Sequence, residues 1–245
     1  MNVAQHMNAA DASAVGGRTL EVFADTPRIN RWIYSKIAPH VRGDVLEIGS
    51  GIGNLSGHIV GDAARVVLSD MESHYLQALT QRFAGDDRVT VSQYDLDGEP
   101  PPEIARRRFD AIVAVNVVEH IADDRALVRR LAALLKPGGK LLIYVPACPF
   151  AYGSLDRALG HHRRYTRATL AGLLAEAGLH FDPPRFMNLF GLLGWAVNGR
   201  LLRRTRLSPL QLGLFESLMP VFSLEDRIHL PIGLGVYVAA EKPAA

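Results

Sequence analysis

A chain of 245 residues, 48% of them hydrophobic and 21% charged, can bury one sizeable α/β core and is short for two independent domains. A formal charge of +2 is too small for a chain that grips nucleic acid by charge alone, and Cys148, the only cysteine, excludes an internal disulfide and a cysteine-based zinc site. Met1–Thr19 lacks the basic-then-apolar pattern of a secretory signal, and no run approaches the roughly 20 apolar residues needed to cross a bilayer, so a reduced, cytoplasmic setting is expected.

Residues 1–20 are small and polar and read as a mobile arm; residues 21–245 read as one domain. From Pro27, the spacing of Ile29, Trp32, Ile33 and Ile37 predicts a helix ended by Pro39. Asp44–Ile48 is a short apolar strand stopped by Gly49, Gly51 and Gly53. Residues 64–69 form a second β-branched run that ends at Asp70, and residues 72–83 a helix with Leu76, Leu79 and Phe83 on one side. Further strands are expected at 88–93, at Phe109–Val115 and at 140–145. Between the last two, Asp123 can cap a helix carrying Leu127, Leu131, Leu134 and Leu135, closed by Pro137-Gly138-Gly139. Apolar strands separated by single helices call for a doubly wound parallel sheet covered on both faces, a Rossmann-like α/β fold. After Gly178 the rhythm changes: a strand-like piece within 179–188, an insertion at about 189–232, then a final strand at 235–242.

The first strand delivers Glu47-Ile48-Gly49-Ser50-Gly51-Ile52-Gly53-Asn54 onto a helix start, a bend that lets backbone close over a ligand. An ordinary strand-to-helix turn seldom needs three alternate glycines. The dinucleotide fingerprint would place its third glycine one residue later, where Asn54 stands. Asp70, 21 residues beyond Gly49, ends the second strand where an acid can grip both hydroxyls of a ribose.

Taken with these, Tyr94-Asp95-Leu96, Asn116-Val117-Val118-Glu119-His120 and Leu135-Lys136-Pro137-Gly138-Gly139-Lys140 make the chain from about 43 to 180 resemble class I S-adenosylmethionine-dependent methyltransferases. The resemblance implies a seven-stranded sheet whose last strand runs antiparallel, S-adenosylmethionine as cofactor, and a cradle that includes Glu47, Gly49, Ser50, Gly51 and Gly53. It implies Asp70 on the ribose, Met71, Asp95 and Leu96 around the adenine, and Asn116 near the methionine end. Each also has a plainer reading, with Leu96 as core, Asp95 as a turn residue and Asn116 as a strand-end cap.

The acceptor is expected beyond the carboxyl ends of the fourth and fifth strands. Glu119 and His120 follow strand four and are generic to the family. Tyr152, Asp156 and Arg157 lead into Gly160-His161-His162-Arg163-Arg164-Tyr165, which reads either as a helix-start network or as a lid. In the lid reading Tyr152, Arg163, Arg164 and Trp195 would contact the acceptor, the arginines holding an anionic group. His161, His162, His120 and Tyr165 are then the candidate bases, in that order. A metal is not expected, since adjacent histidines usually point in different directions. Phe186, Met187, Leu189, Phe190, Leu192, Leu193, Trp195 and Val197 form an apolar block followed by Arg200, Arg203, Arg204 and Arg206. It reads as the roof of a pocket or, alternatively, as an interfacial helix giving peripheral membrane contact or receiving a lipid-like acceptor. The expected activity is methyl transfer to a small molecule, anionic or partly lipophilic, with no nucleic-acid partner. An RNA or protein methyltransferase and a non-catalytic cofactor-binding protein are the alternatives.

Overall fold

Alternation of two apolar faces along each strand decides the architecture. The computed structural model of the chain describes residues 26–206 and 208–244; the arm expected at 1–20 lies outside them. In chain order the elements are α1 (Pro27–Ile37), β1 (Asp44–Ile48), α2 (Ser56–Asp62), β2 (Arg65–Asp70), α3 (Ser73–Arg82), β3 (Val89–Gln93), α4 (Pro102–Ala105), β4 (Phe109–Val115) and α5 (Asp124–Leu134). They continue with β5 (Leu135–Pro146), α6 (Ser154–Ala158), α7 (Arg167–Glu176), β6 (His180–Phe181), β7 (Arg185–Met187), α8 (Leu189–Ala196), α9 (Pro209–Phe222) and β8 (Gly235–Glu241).

The strands form one sheet in the order β3-β2-β1-β4-β5-β8-β6, with β7 also on β8. Strands β1 to β5 pair in parallel, and β8 runs antiparallel between β5 and the β6–β7 edge. There are therefore eight strands where seven are expected. The seventh position in space is an edge broken at Pro183-Pro184, residues that cannot donate to the ladder, and the register against β8 slips by one residue across the break. Strand β5 begins at Leu135, earlier than the sequence suggests, because Leu135 already pairs with Phe109 before an irregularity at Asp110.

One face of the sheet, carrying Leu46, Ile48, Ile112, Ala114, Leu141, Ile143 and Val145, packs on Leu127, Leu131 and Leu134 of α5 and on Leu170 and Leu174 of α7. The opposite face, carrying Val45, Val66, Leu68, Ala111, Val113 and Leu142, packs on Ile29, Trp32, Ile33 and Ile37 of α1 and on Ile59 of α2. Each of these large side chains contributes about 1.5–3 kcal/mol by leaving water. Asp123 caps α5 as expected, accepting from the Ala126 N–H at 2.9 Å. The insertion is tied to α1: Glu216 of α9 accepts from the Arg28 and Ile29 N–H groups at 2.5 and 3.1 Å, and Asp226 accepts from Trp32 Nε1 at 2.9 Å. A carboxylate thus meets the unpaired N–H groups and the positive end of α1.

Candidate active site

Gly49, Gly51 and Gly53 all adopt positive φ (63°, 54° and 85°), so the bend after β1 belongs to glycine. A Cβ on Gly49 would stand 2.5 Å from Val117 Cγ2, which locks the bend against the loop that follows β4. Asp70, at the end of β2, is buried and accepts from the Gly51 N–H at 2.8 Å and the Glu72 N–H at 3.1 Å. The bend and the distant carboxylate, paired in the sequence only by spacing, are thus in direct contact. Burial raises the Asp70 carboxyl, against the pull of those N–H donors.

Glu47 lies beneath the bend, buried, and accepts from Ser56 Oγ at 2.5 Å. Burial pushes its carboxyl up to about 7, although the Ser56 and Ser50 hydroxyls partly offset this. Its value in the unfolded chain is lower, so the folded protein holds the extra proton and stability falls as pH rises from the ordinary glutamate range through about 7. The loss is roughly 3 kcal/mol at about 1.4 kcal/mol per pH unit. Glu119 and His120 also change stability in this range, so urea unfolding at pH 5 and pH 8 should show a pH-dependent difference between the native chain and Glu47→Gln of roughly 3 kcal/mol; equal slopes would refute the assignment.

Around the expected adenine position, Met71 is 56% exposed and its carbonyl accepts from Gln93 Nε2 at 3.0 Å. Asp95 is exposed and accepts from the Asp97 N–H at 3.0 Å, a turn contact, while Leu96 is buried with the larger core cluster. Asn116 is exposed, with φ 53° and its N–H on the Tyr144 carbonyl at 2.8 Å. Every one of these residues stands at the carboxyl end of a strand or in the loop that follows it.

Beyond β4, a short 3-10 turn (Val118–His120) carries Glu119 and His120 toward His161. The two imidazoles meet edge-on with ring centroids 4.7 Å apart, and His161 Nε2 lies 3.9 Å from Glu119 Oε1. Glu119 is fully buried, and neither carboxylate oxygen has a hydrogen-bond donor. Burial pushes it up to about 7, with His161 pulling the other way. His120 keeps an exposed edge, but its packed surroundings, then His161 and His162, lower its imidazole to about 3.

Asp156 is the hub on the far side of His161. It accepts from Arg164 Nε (2.6 Å), Trp195 Nε1 (3.0 Å) and the Gly153 N–H (2.9 Å), and it lies 3.1 Å from His161 Nδ1. Burial pushes its carboxyl up, but these donors outweigh it and hold the group at about 2.

This network redistributes the roles expected of the segment. Arg164 is buried against Asp156 and stacks over Trp195 at 5.0 Å, and Arg163 pairs with Asp124 at 2.7 Å. Internal carboxylates therefore neutralise both guanidiniums expected to hold an anionic acceptor. Tyr165 is buried, donates to Asp124 at 2.7 Å and is pushed well above the ordinary phenol range, first by burial, which removes the basis for a tyrosine base. Tyr152 donates to the His161 carbonyl at 2.7 Å, which anchors the loop, and His162 faces outward with its N–H on the Glu119 carbonyl. The sequence reading missed Asp124 and Asp156 as the partners of these groups. Their signal was an acid within reach of each arginine, which spacing alone could not pair.

A methyltransferase-domain family model matches residues 46–141. The chain is 29% identical over 189 residues to a ubiquinone biosynthesis O-methyltransferase of Xylella fastidiosa, which covers 70% of this chain and 73% of that protein. It is also 29% identical over 152 residues to a demethylmenaquinone methyltransferase of Clavibacter sepedonicus, with 62% and 59% covered. Among solved structures, an S-adenosylmethionine-dependent methyltransferase from Mesorhizobium loti superposes with a TM-score of 0.58 at 16% identity, over 86% of this chain and 97% of that one, a likeness of fold.

Proposed function

We propose that this chain, which resembles known methyltransferases, transfers the methyl group of S-adenosylmethionine to a hydroxyl oxygen on a small lipophilic molecule met at a membrane surface. Bound S-adenosylmethionine supplies an activated methyl group, and what the protein must add is alignment of the acceptor and exclusion of water. The cradle suits that ligand. Gly49 and Gly51 take the positive φ that brings the backbone round to Asp70 at the end of β2, and Met71 lies open for a flat ring. In this reading Gly49, Ser50, Gly51 and Asn116 hold the methionine end, Asp70 the ribose, and Met71, Asp95 and Leu96 the adenine.

The observation that carries the lipophilic reading is the insertion. Of 14 large hydrophobic residues exposed on the described surface, 12 lie between Phe190 and Ile232. Leu193, Val197 and Leu201 form one stripe at four-residue spacing, and Leu210, Leu214 and Leu218 another, with Leu201 and Leu210 at 75% and 83% exposure. Exposed Arg200 stands within the first stripe, exposed Arg203, Arg204 and Arg206 lie between the two, and residues 183–215 contain no acid. Apolar stripes flanked by arginine suit an anionic bilayer surface. No helix among the described residues is long and apolar enough to cross it. The names of two relatives also speak of quinones, and one of O-methylation.

The test is incubation with isotope-labelled cofactor and a lipid extract, alongside flotation on vesicles. Label in an ether-type lipid product is expected, with salt-sensitive binding to anionic vesicles. Leu210→Asp combined with Leu214→Asp should weaken vesicle binding at least tenfold, from about 0.8 kcal/mol per buried CH2. Label only in water-soluble or nitrogen-linked products, or equal flotation of the variant, would refute the reading.

A further inference from the structure

We propose that Glu119, His120 and His161 form a binding site for one divalent cation of the zinc class. One potential ligand atom from each lies within 4.8 Å of the other two. Three features of these groups point to a cation rather than to packing.

First, both oxygens of the fully buried Glu119 lack any donor, although buried carboxylates are otherwise bonded or paired. Second, His161 is oriented by a buried acid. Asp156 accepts from Arg164 and Trp195 and sits 3.1 Å from His161 Nδ1, which fixes the ring with its Nε2 turned toward Glu119. Nε2 and Glu119 Oε1 stand 3.9 Å apart, beyond hydrogen-bond distance, with room for an ion to join them. Third, the His120 ring meets the His161 ring edge-on at 4.7 Å between centroids and brings a nitrogen within reach of both Glu119 and His161. An imidazole fixed through one nitrogen by a carboxylate or carbonyl and open at the other is the usual arrangement of a metal-bound histidine.

Two imidazoles and one carboxylate form a ligand set for Zn2+ that leaves the fourth position to water or to a substrate oxygen. Zinc bonds of about 2.0–2.2 Å need ligand atoms roughly 3.4 Å apart. Closure from 4.8 Å is a side-chain rotation on a short turn, with no strand to move. The site follows Asn116, beside the expected methyl end, so a hydroxyl acceptor would reach the open position. That last role rests on the acceptor proposed above; binding of the cation does not.

The experiment uses the untagged, chelator-washed chain, titrated with Co2+ for visible d–d absorption and with Zn2+ by calorimetry. One equivalent should bind with micromolar or tighter affinity, and X-ray absorption of the zinc-loaded native chain should show two imidazole nitrogens and oxygen. Glu119→Gln and His161→Gln, checked for native circular dichroism, should each weaken binding at least tenfold. No tetrahedral cobalt spectrum, a sulfur ligand from Cys148, or undiminished binding in folded Glu119→Gln would overturn the proposal. Cation binding without O-methylation would instead leave the site standing and refute only the acceptor.

Discussion

Asp156→Ala should lower the melting temperature by about 10 °C. The carboxyl is fully buried and serves Arg164, Trp195 and the Gly153 N–H, with His161 beside it. Alanine would leave a 5%-exposed guanidinium without its anion. Removing one partner of a buried ion pair costs about 3–5 kcal/mol, and a chain of this size loses about 2–4 °C per kcal/mol. The same change removes one of the ties between the loop from Gly153 to Tyr165 and the insertion, the Trp195 bond, and leaves the one from Ser154 Oγ to the Gly199 carbonyl. Thermal unfolding followed by circular dichroism checks this, and Asp156→Asn should fall between the two. A drop of under about 3 °C, from roughly 1 kcal/mol, would show that the hub is not structural.

The second large effect concerns the cofactor. Asp70→Ala should weaken S-adenosylhomocysteine binding about 100-fold by calorimetry, since charged hydrogen bonds contribute about 1.5–3 kcal/mol each. It also strands the Gly51 and Glu72 N–H groups, so part of the loss comes from a loosened bend. Asp70→Asn separates the two, because an amide oxygen can still accept from Gly51 while the charge is gone. Asparagine should restore much of the thermal stability and only part of the affinity. Unchanged affinity in Asp70→Ala would remove the ribose assignment.

Periodicity and punctuation made most of the scaffold readable. Asp44–Ile48 and Phe109–Val115 stand where the apolar runs place them, and Asp123 caps its helix, because these are local consequences of side-chain pattern. The eighth strand was not readable, since Pro183-Pro184 disguises one edge as a loop and only pairing with β8 defines its halves. On the cofactor side, glycines and an acid at strand ends carry their own spacing. The acceptor side failed where partners are distant in sequence. Asp124 meets Tyr165 and Arg163, and Asp156 meets Trp195, through tertiary packing that no short window contains. Expected substrate arginines therefore proved to be internal counter-ions, and a pair regarded as generic to the family, Glu119 with His120, became the most unusual cluster.

The place of β8 has a consequence for synthesis. Gly235–Glu241 inserts between β5 and the β6–β7 edge, so until that late segment leaves the ribosome two rows of backbone donors and acceptors remain open. The nascent chain then carries both an unsealed sheet and the exposed leucines of its insertion, the condition under which polypeptides associate wrongly. Productive folding should accordingly depend on holdase chaperones until the final strand zips shut, and C-terminal truncations into β8 should accumulate as aggregate.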